Sequence, residues 1–201
     1  MNFLAHLYLA GDDENLRLGA LLGDFVRGNE ALRVYPPGLQ HGIRLHRHID
    51  AFTDAMPAVM ELRRWFRTPF RRFGGIIIDH GLDYELARNW DDYSPLPLDG
   101  FDRDVRSLLD HHENLVPAAL RQFMNYADRR GLFAAYRQRD EVLHSLKGIG
   151  KRISRPNPLG RVSEVWGGFE PLLAGAFPPL FDEVQSEVSS WLNSKSTTTG
   201  S

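Results

Sequence analysis

Two polar pairs stand at helical spacing in this chain, His46 with Asp50 and Asp79 with Asp83. A further acid, Asp24, sits in the run Gly23-Asp24-Phe25-Val26-Arg27-Gly28. Side chains four residues apart on a helix share a face, with about 5–6 Å between their Cβ atoms. An imidazole and a carboxylate so placed can clamp one metal ion. Two carboxylates so placed, beside Ile76, Ile77, Ile78 and Leu82, repel each other unless a cation or protons intervene. With Asp24 the pairs can hold a divalent cation, and Arg27 and Arg47 can receive a phosphate beside it. Metal-assisted hydrolysis is the chemistry that this set suits.

Each member also has a plainer reading. The His46/Asp50 pair can be a solvated salt bridge worth about 0.3–0.5 kcal/mol, and Arg88 can neutralise Asp79 or Asp83. Asp24 can be an exposed acid or a cap, although the flanking Gly23 and Gly28 point to close approach of a backbone or a ligand. Thr53 and Asp54 lie near the His46 face, whereas His48 points away from it. His80 flanks Asp79 off the Asp83 face, and Tyr84 can reach toward the same site. His6, in an apolar stretch, reads as a core histidine, and His111, His112 and His144 read as surface. Arg63, Arg64, Arg67, Arg71 and Arg72, with Trp65 and Phe66 between them, form either a solvated face or a dock for an acidic partner. Lys147, Lys151, Arg152 and Arg155 form a rival basic segment.

The elements that must carry these residues read as helices. Apolar positions at 3, 4, 7 and 8 open the chain, and Asp13 or Asn15 can cap a second helix running through Arg27. Pro36-Pro37 precedes a helix over about 38–54, and Pro57 starts another that ends near 67–69. Residues 70–90 read as a long helix bent at Gly74-Gly75, and 91–100 as a loop. Further helices follow over about 101–114, 116–130 and 132–148, then a basic connection over 149–160. The last helix, about 161–192, is expected to break near Pro171 and Pro178-Pro179. The expectation is an all-α, single-domain helical bundle over 1–193 with a disordered tail over 194–201.

Composition narrows the class. The chain has 201 residues, 42% apolar and 25% charged, with a net charge of −2, so no global charge points to nucleic acid. The absence of cysteine rules out disulfides, thiolate metal sites and a cysteine nucleophile. No apolar run approaches the ~18 residues of a membrane span, and the start lacks a basic leader. A cytoplasmic protein without membrane attachment is expected.

Taken in order, Met1-Asn-Phe-Leu-Ala-His6-Leu, Gly23-Asp24-Phe-Val-Arg27-Gly28, His46-Arg47-x-Ile49-Asp50-x-x-Thr53-Asp54 and Asp79-x-x-x-Asp83 with Arg88-x-Trp90 resemble the bacterial acyl carrier protein phosphodiesterases over about residues 1–190. The resemblance implies a divergent, HD-like, largely helical metal phosphohydrolase that favours Mn²⁺, with Mg²⁺ as the alternative. Its implied reaction removes 4′-phosphopantetheine from holo-acyl carrier protein and leaves the apo protein. It implies Asp24, His46, Asp50, Asp79 and Asp83 as metal residues, with His6 and Asp54 behind them. Asp54 then suits proton transfer from water, and Arg27 and Arg47 suit the developing charge. One departure stands out: His48 and Asp50 are separated by Ile49, so no ordinary His-Asp doublet is present. The Asp79-His80 doublet has the reverse order. A nucleotide phosphohydrolase and a non-catalytic helical interaction module are the alternatives.

Overall fold

Apolar residues at helical spacing draw the described residues into eleven helices around one contiguous core, which collects side chains from Met1 to Val188. The structure is a computed structural model that describes residues 1–196, with backbone alone at 128, 195 and 196. The helices are α1 (Phe3–Leu9), α2 (Glu14–Leu22), α3 (Gly28–Leu32), α4 (Pro37–Ala55), α5 (Pro57–Trp65) and α6 (Gly74–Arg88). They continue as α7 (Trp90–Tyr93), α8 (Leu98–His111), α9 (Ala118–Asp128), α10 (Arg139–Arg152) and α11 (Ser163–Ser196). No strand occurs among the described residues, as the all-α reading expects.

Most starts follow local chemistry. The Asp13 side chain accepts the Leu16 N–H at 2.9 Å and caps α2. Proline occupies the first turn of α4 and of α5, where its missing N–H costs nothing. The crossing of α2 and α4 is set by two glycines. A Cβ on Gly19 would lie 2.5 Å from the Gly42 backbone, so only hydrogen at both positions lets the two backbones approach this closely.

Several boundaries differ from expectation. α2 stops at Leu22 instead of running through Arg27. The chain turns there, and the Arg47 guanidinium takes the carbonyls of Val26 (2.7 Å) and Gly28 (3.1 Å). Residues 91–100 are not all loop, because α7 and the start of α8 fall within them. The helix expected over 132–148 splits. Gly131 and Leu132 adopt positive φ, a 3-10 turn covers Ala134–Arg137, and α10 then runs on to Arg152 into the expected basic connection. α11 is one unbroken helix despite Pro171, Pro178 and Pro179. The three prolines lie on its exposed side, while Trp166, Phe169, Leu173, Phe177, Phe181 and Val184 are fully buried on the other. At roughly 1.5–3 kcal/mol for each large apolar side chain, that face outweighs about 3 kcal/mol for each interior proline. The tail expected from Ser194 is helical as far as Ser196, and residues 197–201 lie outside the described residues.

Candidate metal centre

His46 sits one turn after Gly42, so the glycine crossing presses its imidazole against α2. Its Nδ1 donates to the Ala20 carbonyl at 2.9 Å. A carbonyl can only accept, so Nε2 is the nitrogen left to face the acids. That Nε2 lies 3.2 Å from an Asp50 oxygen and 3.6 Å from an Asp24 oxygen. The ring also covers Gly23 so closely that a Cβ there would overlap it.

His6 reaches the same place from α1. Its ring stacks on His46 with centroids 3.9 Å apart, and its Nε2 is 3.0 Å from Asp50 Oδ1. Both histidines are buried, whereas the carboxylates of Asp50 (41% exposed) and Asp24 (52% exposed) open to solvent. Ligand atoms from His6, His46 and Asp50 all lie within 4.8 Å of one another, close enough to share one ion. His6 Nδ1 is buried without a partner.

Charge is tightly arranged at this point. Burial opposes an imidazolium at His46, but Asp24 and Asp50 outweigh it and raise the pKa to about 9. Burial and the repulsion of His46 push His6 down to about 4. Burial likewise opposes ionisation of Asp50, yet hydrogen bonds from His46 and His6 hold its carboxyl well below the usual range. Asp79 extends the acid row, and the Met1 ammonium bridges it (3.2 Å) to Asp50 (3.4 Å). Burial lowers that ammonium's pKa, but Asp79 and Asp50 more than reverse this and raise it to about 10. Nothing in the residue spacing pointed to this amino group. It reaches the acids because α1 packs beside α6.

A cationic charge shared among two imidazoles and two or three carboxylates is what a divalent ion supplies. The sequence profile of acyl carrier protein phosphodiesterases matches residues 1–184. The chain belongs to that family. Acyl carrier protein phosphodiesterases of Salmonella agona, Salmonella dublin and Salmonella newport are each 38% identical to it over 163 residues, covering 79% of this chain and 82% of theirs. No solved structure matches it.

The other candidate residues of this family member have different places. Asp83 is completely buried and accepts the backbone N–H groups of Leu4 (2.8 Å) and Ala5 (3.1 Å). It caps α1 from a distance, because Asn2 supplies no side-chain cap, and so it positions His6 without joining the acid row. Its expected neutraliser, Arg88, turns instead to Glu170 and the Tyr84 hydroxyl. Asp54 is ion-paired to Arg63 at 2.5 Å. Arg47 holds the turn that carries Asp24, and Arg27 is exposed at the start of α3.

The arginine ridge is less uniform than its sequence. Arg63 is engaged by Asp54 and its Nε is buried without a partner. Arg64 pairs with Glu61, Arg67 donates to the Arg64 carbonyl at 3.1 Å, and Arg71 and Arg72 are exposed. Burial raises the pKa of Asp79 against the pull of the Met1 ammonium, and the charges of Asp50 and Asp54 add to that rise. Among the described residues no helix is long and apolar enough to cross a membrane.

Proposed function

We propose that this protein hydrolyses the phosphodiester that joins 4′-phosphopantetheine to a carrier-protein serine, releasing phosphopantetheine and apo-acyl carrier protein in the cytoplasm. The family and the names of its relatives support this reading. The observation that carries it is the convergence of His6, His46 and Asp50 with the open carboxylate of Asp24. These four residues would hold Mn²⁺ or Mg²⁺. Their fit rests on His46, whose Nδ1 is fixed by a carbonyl so that Nε2 is presented, the usual arrangement of a metal-binding imidazole. The meeting of His6 from α1, His46 and Asp50 from α4 and Asp24 from the turn after α2 also supports an HD-like ancestry.

A divalent cation bound there supplies Lewis-acid polarisation of the phosphoryl oxygen and a water of lowered pKa. The chain's own groups do the rest. His46 holds a proton at Nε2 between Asp24 and Asp50, and it would have to give that proton up to serve as a ligand, so cation binding there would be proton-linked. Asp79, whose pKa is raised by burial against the pull of the Met1 ammonium, suits a proton acceptor through Oδ2, the oxygen that Met1 does not engage. Asp54 would be the second acceptor, restrained by its ion pair with Arg63. The Met1 ammonium offsets the negative charge that gathers on Asp50 and Asp79. Exposed Arg64, Arg67, Arg71 and Arg72 present positive charge to an acidic carrier protein.

Incubation with holo-carrier protein and Mn²⁺, followed by mass spectrometry, should show loss of the phosphopantetheine mass. Excess EDTA should abolish the loss, and Mn²⁺ should restore it better than Ca²⁺. Full activity in chelator would remove the metal from the mechanism.

A further inference from the structure

Beside Asp24 the surface opens into a cleft of about 460 Å³ between α1, α9 and α10. An aromatic row leads away from the acid. Phe25, the next residue, stacks with Phe3 at 6.3 Å, and Phe3 meets Phe123 of α9 at 4.7 Å. Polar groups are set among these rings: Gln122, and Tyr136 with its hydroxyl 3.4 Å from Ser145. Ile149 closes the wall from α10. His80 lies within the electrostatic reach of both Asp24 and Arg152, which line the same cleft. A cleft of this size, mostly apolar with a few placed hydrogen-bonding groups, has the character of a small-molecule site.

We propose that this cleft receives the pantetheine arm of the substrate while its phosphodiester lies at Asp24, an inference that rests on the phosphodiesterase reading. The arm is an uncharged chain that carries a dimethyl group and a hydroxyl near the phosphate, then two amides and a thiol. Its apolar portion matches the Phe25–Phe3–Phe123 row, and its amides match Gln122 and the Tyr136/Ser145 hydroxyls. The continuity of the cleft with Asp24 fixes which end of the arm enters beside the reacting phosphate. An acidic protein surface finds no comparable match in the cleft, because Arg152 is the one Lys or Arg among the lining residues and Asp24 would repel such a surface.

Two readouts test the cleft and the activity separately. Ile149→Trp fills the cleft, and Phe123→Ala removes its aromatic contact should the first variant fail to fold. Saturation-transfer NMR with free pantetheine, and with adenosine as the rival ring, reports on the cleft alone. Release of phosphopantetheine from holo-carrier protein reports on the activity. The wild type should show transfer from pantetheine and not from adenosine. Each folded variant should lose that transfer and raise KM for holo-carrier protein at least ~10-fold, the scale of a lost apolar pocket contact, with the metal-induced rise in Tm retained. Undiminished transfer and unchanged KM in both variants would overturn the cleft assignment and leave the activity standing. Transfer from adenosine alone would also overturn it. A wild type that binds pantetheine in the cleft yet releases nothing would overturn the activity instead.

Discussion

Gly23→Ala is the substitution that bears hardest on the geometry of the centre. Gly23 has φ −51° and ψ −42°, a right-handed helical conformation that alanine adopts freely. Backbone preference alone therefore favours alanine at this helix end by up to about 1 kcal/mol. Packing acts the other way. The new Cβ would lie 2.6 Å from His46 Nδ1 and nearer still to Cγ and Cδ2, where carbon contacts need about 3.5–4.0 Å. The ring must retreat by about 1 Å, and it is held by the Ala20 carbonyl at 2.9 Å and by the His6 ring stacked at 3.9 Å. Forced overpacking of this kind costs about 1–3 kcal/mol, so a net loss of about 1–2 kcal/mol is expected. A ~1 Å displacement of a group at a reacting centre costs on the order of 100-fold in rate. Urea unfolding of the metal-free protein and turnover of holo-carrier protein at saturating Mn²⁺ measure the two effects. A variant as stable as the wild type and equally active would show that α2 does not fix the position of His46, and the packing basis of the centre would fall with it.

Three other outcomes follow from the same contacts. Asp83→Ala leaves the Leu4 and Ala5 N–H groups buried without an acceptor, so it should lower stability by about 2–4 kcal/mol with or without metal; an unchanged urea midpoint would refute its capping role. Asp102 is buried, and burial raises its pKa from 3.8 to about 6; its stabilising contribution is complete below about pH 4 and lost as pH rises through about 6, a change of at most about 3 kcal/mol. Asp102→Asn should flatten that part of the stability profile between pH 4 and 7, as measured by urea unfolding, and a parallel profile would refute the shift. Reversing Arg64 and Arg67 to Glu should raise KM for holo-carrier protein and weaken its salt dependence, with the metal-induced rise in Tm intact; unchanged KM there, with a large rise on reversing Lys151 and Arg152, would move the dock to α10.

The helices were legible where the chain carries its own punctuation. Pro36-Pro37, Pro57 and Asp13 set their boundaries within a residue or two because their effect is confined to the turn they start. Boundaries set by distant partners were not legible. The end of α2 depends on Arg47, which spends its guanidinium on the carbonyls of a turn 19 to 21 residues away. The prolines of α11 read as breaks because their local cost is visible in sequence, while the buried aromatic face that outweighs it depends on what packs against it.

The site shows the same division. His46 and Asp50 share a face because they share a helix, and Asp24 stands beside them because Gly23 admits the His46 ring. Asp79 and Asp83 share a face equally well, but that face spans two environments once α1 is in place. Asp79 meets an ammonium at the solvent-facing edge of the centre, and Asp83, one turn further along, meets two backbone N–H groups where no water reaches. Helical spacing therefore identifies which carboxylates share a face, but the element that packs on their helix decides which environment each one meets. In this protein that element is α1, which brings His6 to the centre at one end of the acid row and removes Asp83 from it at the other. The capping of α1 by Asp83 and the placing of His6 are one structural event, so damage to the buried acid should reach the centre through His6.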